Sequence, residues 1–144
     1  QLTALGTFAA WTPVLTASTS NPTASVTTGE SRYMQLGKFV HGFGHMQITA
    51  AGGGTYRIPL PATPVSSTAA LKTIGWAMLF VDDGTIYARS YRLVKVPSQS
   101  YCHAIDFDSS TVPAVNYLSN TDMTDMDGRG GNVYLAWKFD YEAA

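Results

Sequence analysis

The chain has 144 residues, of which 45% are hydrophobic and 13% charged, and its formal net charge is −1. That length suits one folded unit, residues 1–144, burying roughly two-thirds of its unfolded surface. The charged fraction is about half the ~25% usual for soluble domains, the near-neutral balance gives no global field to attract nucleic acid or an anionic membrane, and no run of about 18 apolar residues offers a membrane span.

Phe8 to Thr16 alternates loosely around Trp11 and predicts a strand, followed by a turn-forming Ser, Thr, Asn and Pro run from Ser18 to Thr23. Ala24 to Thr28 predicts a second strand. Ser31 to Leu36 and Phe39 to Thr49 are rich in aromatic and β-branched residues, and Gly37-Lys38 supplies the residue tolerant of φ > 0 that a two-residue hairpin needs. On the second arm Val40, Met46 and Ile48 share a face with Gly42 and Gly44, whereas Phe39, His41, Phe43, His45, Gln47 and Thr49 share the other. Glycines inside a strand mark a bulge, a bend or a close approach of another backbone. A neighbouring sheet or subunit is therefore expected against that face.

Thr55 to Leu60 alternates with Tyr56, Ile58 and Leu60 on one face, and Pro61 to Ala69 reads as a connector crossing one end of the fold. Thr73 to Val81 is an almost continuous apolar run, which predicts a strand buried on both faces in the sheet interior. Asp82-Asp83-Gly84 turns it into a return strand, Thr85 to Val96. Tyr101 to Phe107 gives a further strand, and Asn132 to Tyr141 a last one with Val133, Leu135, Trp137, Phe139 and Tyr141 on one face. Trp76, Phe80, Trp137 and Phe139 are read as core. No segment predicts a helix. Eight or so short strands with regular turn signals predict an all-β fold, an antiparallel β-sandwich of jelly-roll type.

Catalytic patterns are lacking in the sequence. His41 and His45 lie about 13 Å apart on one extended strand, so they cannot chelate one metal and are read as hydrogen-bonded, partly exposed side chains. Asp122, Asp125 and Asp127 before Gly128 miss the spacing of a calcium loop and read as a solvated turn. Asp106 and Asp108 share a face some 7 Å apart without a visible pKa-raising environment. Cys102 is the only cysteine, which excludes an intrachain disulfide and fits a small apolar packing role and a reducing compartment. No catalytic residue, metal ligand or cofactor is assigned. Seven of the ten acids follow residue 100, whereas seven of the nine bases precede it, a pattern suited to solvated loops that complement one another.

Seventeen aromatic residues slightly exceed the needs of a small core. Tyr and Trp faces suit sugar rings, through apolar stacking with hydrogen bonds nearby. Tyr101 and Tyr117 flank or enter the long segment after Phe107, and Asn116, Asn120 and Arg129 are the polar partners beside them. These five residues form the predicted binding set.

Trp11 to Thr23 (WTPVLTASTSNPT), Arg32-Tyr33 with Gly37 to His41 (GKFVH), Gly54 to Pro61 (GTYRIPLP) and Phe139 to Ala144 (FDYEAA) occur in this order across most of the chain. Together they resemble a β-rich domain at the C-termini of tail-fibre and minor structural proteins of tailed phages and prophages of actinobacteria. The resemblance implies a β-sandwich, a homotrimer, and display on a virion as a tail-fibre tip or head fibre. It fades between Cys102 and Gly131, where loops of this kind carry recognition while the scaffold carries stability. The implied partners are two further copies, other virion proteins through an upstream region, and host cell-wall carbohydrate, with assembly in the host cytoplasm. A structural head fibre or capsid decoration without a ligand is the alternative. Low charge, many small residues and a strongly apolar last strand give trimerisation a physical motive.

Overall fold

The computed structural model describes residues 6–27, 29–65, 72–82, 86–106, 116–128 and 132–144. Within them the chain forms the strands β1 (Ala9–Ala10), β2 (Thr16–Ala17), β3 (Thr23–Ser25), β4 (Arg32–Leu36), β5 (Phe39–Ala50), β6 (Tyr56–Pro59), β7 (Thr73–Asp82), β8 (Ile86–Lys95) and β9 (Tyr101–Asp106), the helix α1 (Asn120–Asp127) and the last strand β10 (Asn132–Glu142). Every strand pairing is antiparallel, and nine strands follow one path, β1-β4-β5-β10-β7-β8-β9-β6-β2. The tenth, β3, shares an edge of β5 with β4: Phe39 to Phe43 pair with β4, and Gln47 to Ala50 with β3. Gly37 turns the β4–β5 hairpin at φ +59°, as the sequence predicts.

A length argument forces this sheet to curl. Laid flat, nine strands would separate β1 from β2 by about 38 Å, at ~4.8 Å per spacing. The chain between Ala10 and Thr16 reaches at most about 20 Å. The two ends of the sheet are therefore drawn together, and residues 11–15 cross between them. Trp11 lies on this crossing and meets Tyr33, Trp137 and Phe139 edge-on, at ring-centroid distances of 6.5, 6.3 and 6.1 Å. The expected sandwich-like all-β fold is thus one continuous antiparallel sheet rolled over its own concave face. Phe8 to Thr16, read from sequence as one strand, is two short strands split by the crossing.

Alternation on β5 and β10 sends Val40, Met46, Ile48, Val133, Leu135, Trp137, Phe139 and Tyr141 into the concave core. Gly42 and Gly44 face the same way, each opposite an aromatic residue on β10: Phe139 pairs with Gly42 and Trp137 with Gly44. The close neighbour expected at these glycines is therefore the adjacent strand's own rings, which fill the space two side chains would need.

Three expectations are corrected. β7 lies in the middle of the sheet, but the described residues cover it on one face only. Ile74, Ala77, Leu79 and Val81 enter the core, whereas Trp76 is 51% exposed. Phe80 lies half-buried on the convex side, stacked on Tyr134 at 5.3 Å. Trp76 and Phe80 are thus not core, because a continuous apolar run cannot by itself tell one covered face from two. The third correction is α1. Ser119 precedes it, and the Asp122 carboxylate accepts hydrogen bonds from the Ser119 backbone N–H at 3.0 Å and hydroxyl at 3.1 Å. Met123 and Met126, three residues apart, turn together into the core and stay almost wholly buried. Burying each contributes roughly 1.5–3 kcal/mol.

Helix α1 plugs the end of the roll where β10 begins. The opposite end is closed by the start of the predicted connector. Val65 donates its N–H to Glu142 O at 2.8 Å, and Ala144 donates to Thr63 O at 2.9 Å. The Tyr141 hydroxyl donates to Ala62 O at 2.6 Å.

Candidate functional site

Strands β6 and β9 pair at only two positions, Ile58 with Cys102 and Pro59 with Tyr101. Beyond them the strands diverge, and Asn116 to Ser119 fills the gap. Tyr56 N–H donates to Leu118 O at 2.9 Å, Leu118 N–H to Ala104 O at 2.8 Å, and Asp106 N–H to Asn116 O at 2.9 Å. Leu118 is fully buried and anchors the insertion. Alternation turns its neighbour Tyr117, which bridges Ile105, to the outside, where it is 40% exposed.

Tyr117 ends a row of side chains on the convex face. The Arg57 guanidinium lies 5.3 Å from the centroid of the Tyr101 ring. Tyr101 lies 5.5 Å from His103, and His103 5.2 Å from Tyr117, both pairs edge-on. The Nδ1 of His103 is 3.2 Å from Tyr56 O. A carbonyl oxygen only accepts, so Nδ1 carries the proton and Nε2 is left as an acceptor. Burial, reinforced by Arg57, holds the His103 pKa below its ordinary value despite that hydrogen bond. The ring is accordingly neutral near pH 7.

On its other side Tyr117 walls a groove of about 390 Å³. Arg89, Asp106 and Asp122 bring charge to it, and Asn116, Thr55, Ser119 and Thr121 bring amide and hydroxyl groups. Arg89 donates to Asp122 Oδ1 at 3.0 Å, and its other terminal nitrogen lies 3.7 Å from Asp125 Oδ2. Tyr91 lies beside this cluster, 2% exposed, with Asp122, Arg89 and Asp106 within electrostatic reach of its hydroxyl. Burial, and next the charge of Asp122, push its phenol far above the ordinary tyrosine range.

Of the five residues predicted to bind, Tyr101, Asn116 and Tyr117 come together along the row and groove. Asn120 serves the scaffold: its N–H donates to Gly54 O at 3.1 Å, and its side-chain carbonyl accepts from Gly54 N–H at 3.0 Å. Arg129 lies outside the described residues. The sequence reading missed Arg57, Arg89, His103, Asp106 and Asp122 as members of this surface. For His103 a signal exists, since a residue two places from Tyr101 on a strand shares its face. For Arg89 none does, because only the rolled sheet brings β8 to α1.

The other sequence candidates resolve as structure. His41 Nδ1 contacts the carboxylate of Asp140, its cross-strand neighbour, and His45 Nδ1 is 2.8 Å from Glu30 Oε2. Asp122 and Asp125 pair with Arg89 on a helix, and no group of three metal-ligating side chains occurs among the described residues. Cys102 is fully buried, and burial pushes its thiol pKa far up. A second exposed feature lies on the convex face, where Lys138 is flanked in register by Phe43 and Trp76, with Phe8 6.2 Å from Phe43. Compared with protein families, curated proteins and solved structures, the chain matches none.

Proposed function

We propose that this chain is the recognition module of a tailed-phage fibre, displayed in three copies on the virion, and that its ligand is a host cell-surface glycan. The observation that carries the reading is the continuity of the Arg57, Tyr101, His103 and Tyr117 row with the polar groove beyond Tyr117. Sugars present apolar ring faces and hydroxyl edges, so their binding sites join aromatic surface to convergent amides, hydroxyls and charged groups. A groove of this size holds one or two sugar rings. Weak sites of this kind gain useful strength when three copies engage one cell surface together. The reading is one of binding without turnover.

The test is a glycan array together with whole-cell binding by the purified protein. Binding that is lost in Tyr117→Ala and Tyr101→Ala supports the reading. A wild-type protein that ignores both cells and envelope glycans overturns it.

The Phe43, Lys138 and Trp76 strip favours a second role, a structural head fibre or decoration protein packed against other virion proteins through that face. Labelling the chain on intact particles distinguishes the two. A position over the whole capsid selects the structural role.

A further inference from the structure

Cations and aromatic rings alternate across the convex face. In register over five strands run Arg32 on β4, Phe43 on β5, Lys138 on β10, Trp76 on β7 and Arg92 on β8. Strand geometry turns Phe43, Lys138 and Trp76 outward, opposite Gly44, Trp137 and Ala77, which face the core. Both rings are exposed, and Phe8 packs 6.2 Å from Phe43 and widens the apolar surface. Lys138 is exposed and in no ion pair among the described residues. Arg32 is exposed too, with its Nε donating to Gly29 O at 3.1 Å. Arg92 is half-buried and has a contact of its own, which leaves Lys138 and Arg32 as the cations presented outward. Of the acids beside the row, Asp140 and Glu30 lie against His41 and His45, and Glu142 ends β10 about 13 Å along the strand from Lys138. A packed protein interface is a poor match for this row, because the dry centre of such an interface is depleted of lysine. A solvated polymer can cover the rings and leave the ammonium wet.

We infer that this row binds an acidic polysaccharide whose carboxylates recur on every second ring. Adjacent strands lie ~4.8 Å apart, close to the length of one sugar ring in an extended chain. Phe43 and Trp76 are two spacings apart, so alternate rings stack on them, and the ring between brings its carboxylate to Lys138. The next carboxylate along the chain meets Arg32. Four spacings give the row a span of about 19 Å, enough for a short oligosaccharide laid across the strands. This surface adds a second, charged contact to the glycan-recognition reading, on which it rests.

The experiment titrates the intact chain by calorimetry with a hyaluronan hexasaccharide, in which glucuronate recurs on every second ring, an uncharged N-acetylglucosamine hexamer, and an oligothymidylate. The hyaluronan probe is expected to bind about tenfold tighter than the uncharged one, with an affinity that falls as salt rises. Lys138→Gln should remove that preference while leaving affinity for the uncharged probe near wild type. Trp76→Ala should weaken both sugars about tenfold, and both side chains point out of the core, so thermal midpoints should change little. Tyr117→Ala should leave hyaluronan binding intact, which separates this row from the groove. Equal or tighter binding of the uncharged hexamer overturns the acidic ligand. Oligothymidylate bound as tightly as hyaluronan assigns the row to single-stranded nucleic acid and overturns the polysaccharide. No binding of any probe, by a protein that still binds host cells, overturns the row as a glycan surface and leaves the reading above standing. No binding of probes, cells or envelope glycans overturns both.

Discussion

The indole of Trp137 occupies the space above Gly44 that any side chain there would need. A Cβ built on Gly44 lies 2.6 Å from Cη2 of that indole and closer still to Cζ2 and Cε2. The two residues face each other across the β5–β10 ladder, and Trp11 meets the same indole edge-on from the closing segment. The glycine thus admits the ring, and the ring gives the N-terminal crossing a surface on which to close the roll.

Gly44→Ala should destabilise the protein by about 3 kcal/mol, near the upper end of typical overpacking costs, because the backbone of a central strand cannot yield easily. Combining it with Trp137→Leu should recover part of that loss, since the two changes share one volume. Urea denaturation of the four proteins of this cycle measures the coupling. Purely additive effects would show that the ring and the glycine are not in contact.

Asn120→Ala should cost about 1 kcal/mol by leaving the Gly54 N–H without its side-chain partner. Its binding to host cells and envelope glycans should stay near wild type, because the side-chain carbonyl of Asn120 is already committed to the scaffold. A large loss of affinity at unchanged stability would return Asn120 to the binding surface.

Tyr117→Ala should weaken glycan binding about tenfold, or ~1.4 kcal/mol. The ring is 40% exposed and packs on His103 from outside the core, so the thermal midpoint should change little. Tyr101→Ala tests the next ring in the row in the same way.

Stability should depend on pH through His103. Its folded-state pKa lies below the unfolded value, so as pH falls the unfolded chain takes up the proton first. The stability contributed by the neutral ring is full above the ordinary histidine value near 6.5 and declines below it. Denaturation midpoints measured from pH 5 to pH 8 should therefore rise with pH, and His103→Gln should flatten that rise. An unchanged slope in the variant would remove His103 as its source.

Cys102 should resist thiol reagents at pH 8 while the protein is folded and react fully in denaturant. Its side chain is wholly buried, and burial raises its pKa far above that of an exposed thiol. Reaction at the rate of a free thiol without denaturant would contradict the packing of β9.

Period-two alternation was enough to place β5 and β10 and to choose their buried faces, because a residue's side of a strand follows from backbone geometry alone. The Gly37 turn was equally legible, since a tight hairpin requires a positive φ that glycine supplies without strain. Tyr101 and Tyr117 could be singled out as candidates because aromatic residues beside an irregular segment are visible in one dimension. Trp76 and Phe80 were misplaced because burial of a strand's second face depends on whether another layer covers it, and none of the described residues forms one here. Helix α1 escaped notice because its hold on the core is two methionines, and its start is marked only by Ser119 and Asp122. The meeting of Arg89 with Asp122, and of the Tyr101 row with the groove, required the sheet to roll. That roll is set by a length mismatch between nine paired strands and a five-residue crossing. Local sequence thus determined the strands and their faces, while long-range closure decided which side chains share a site.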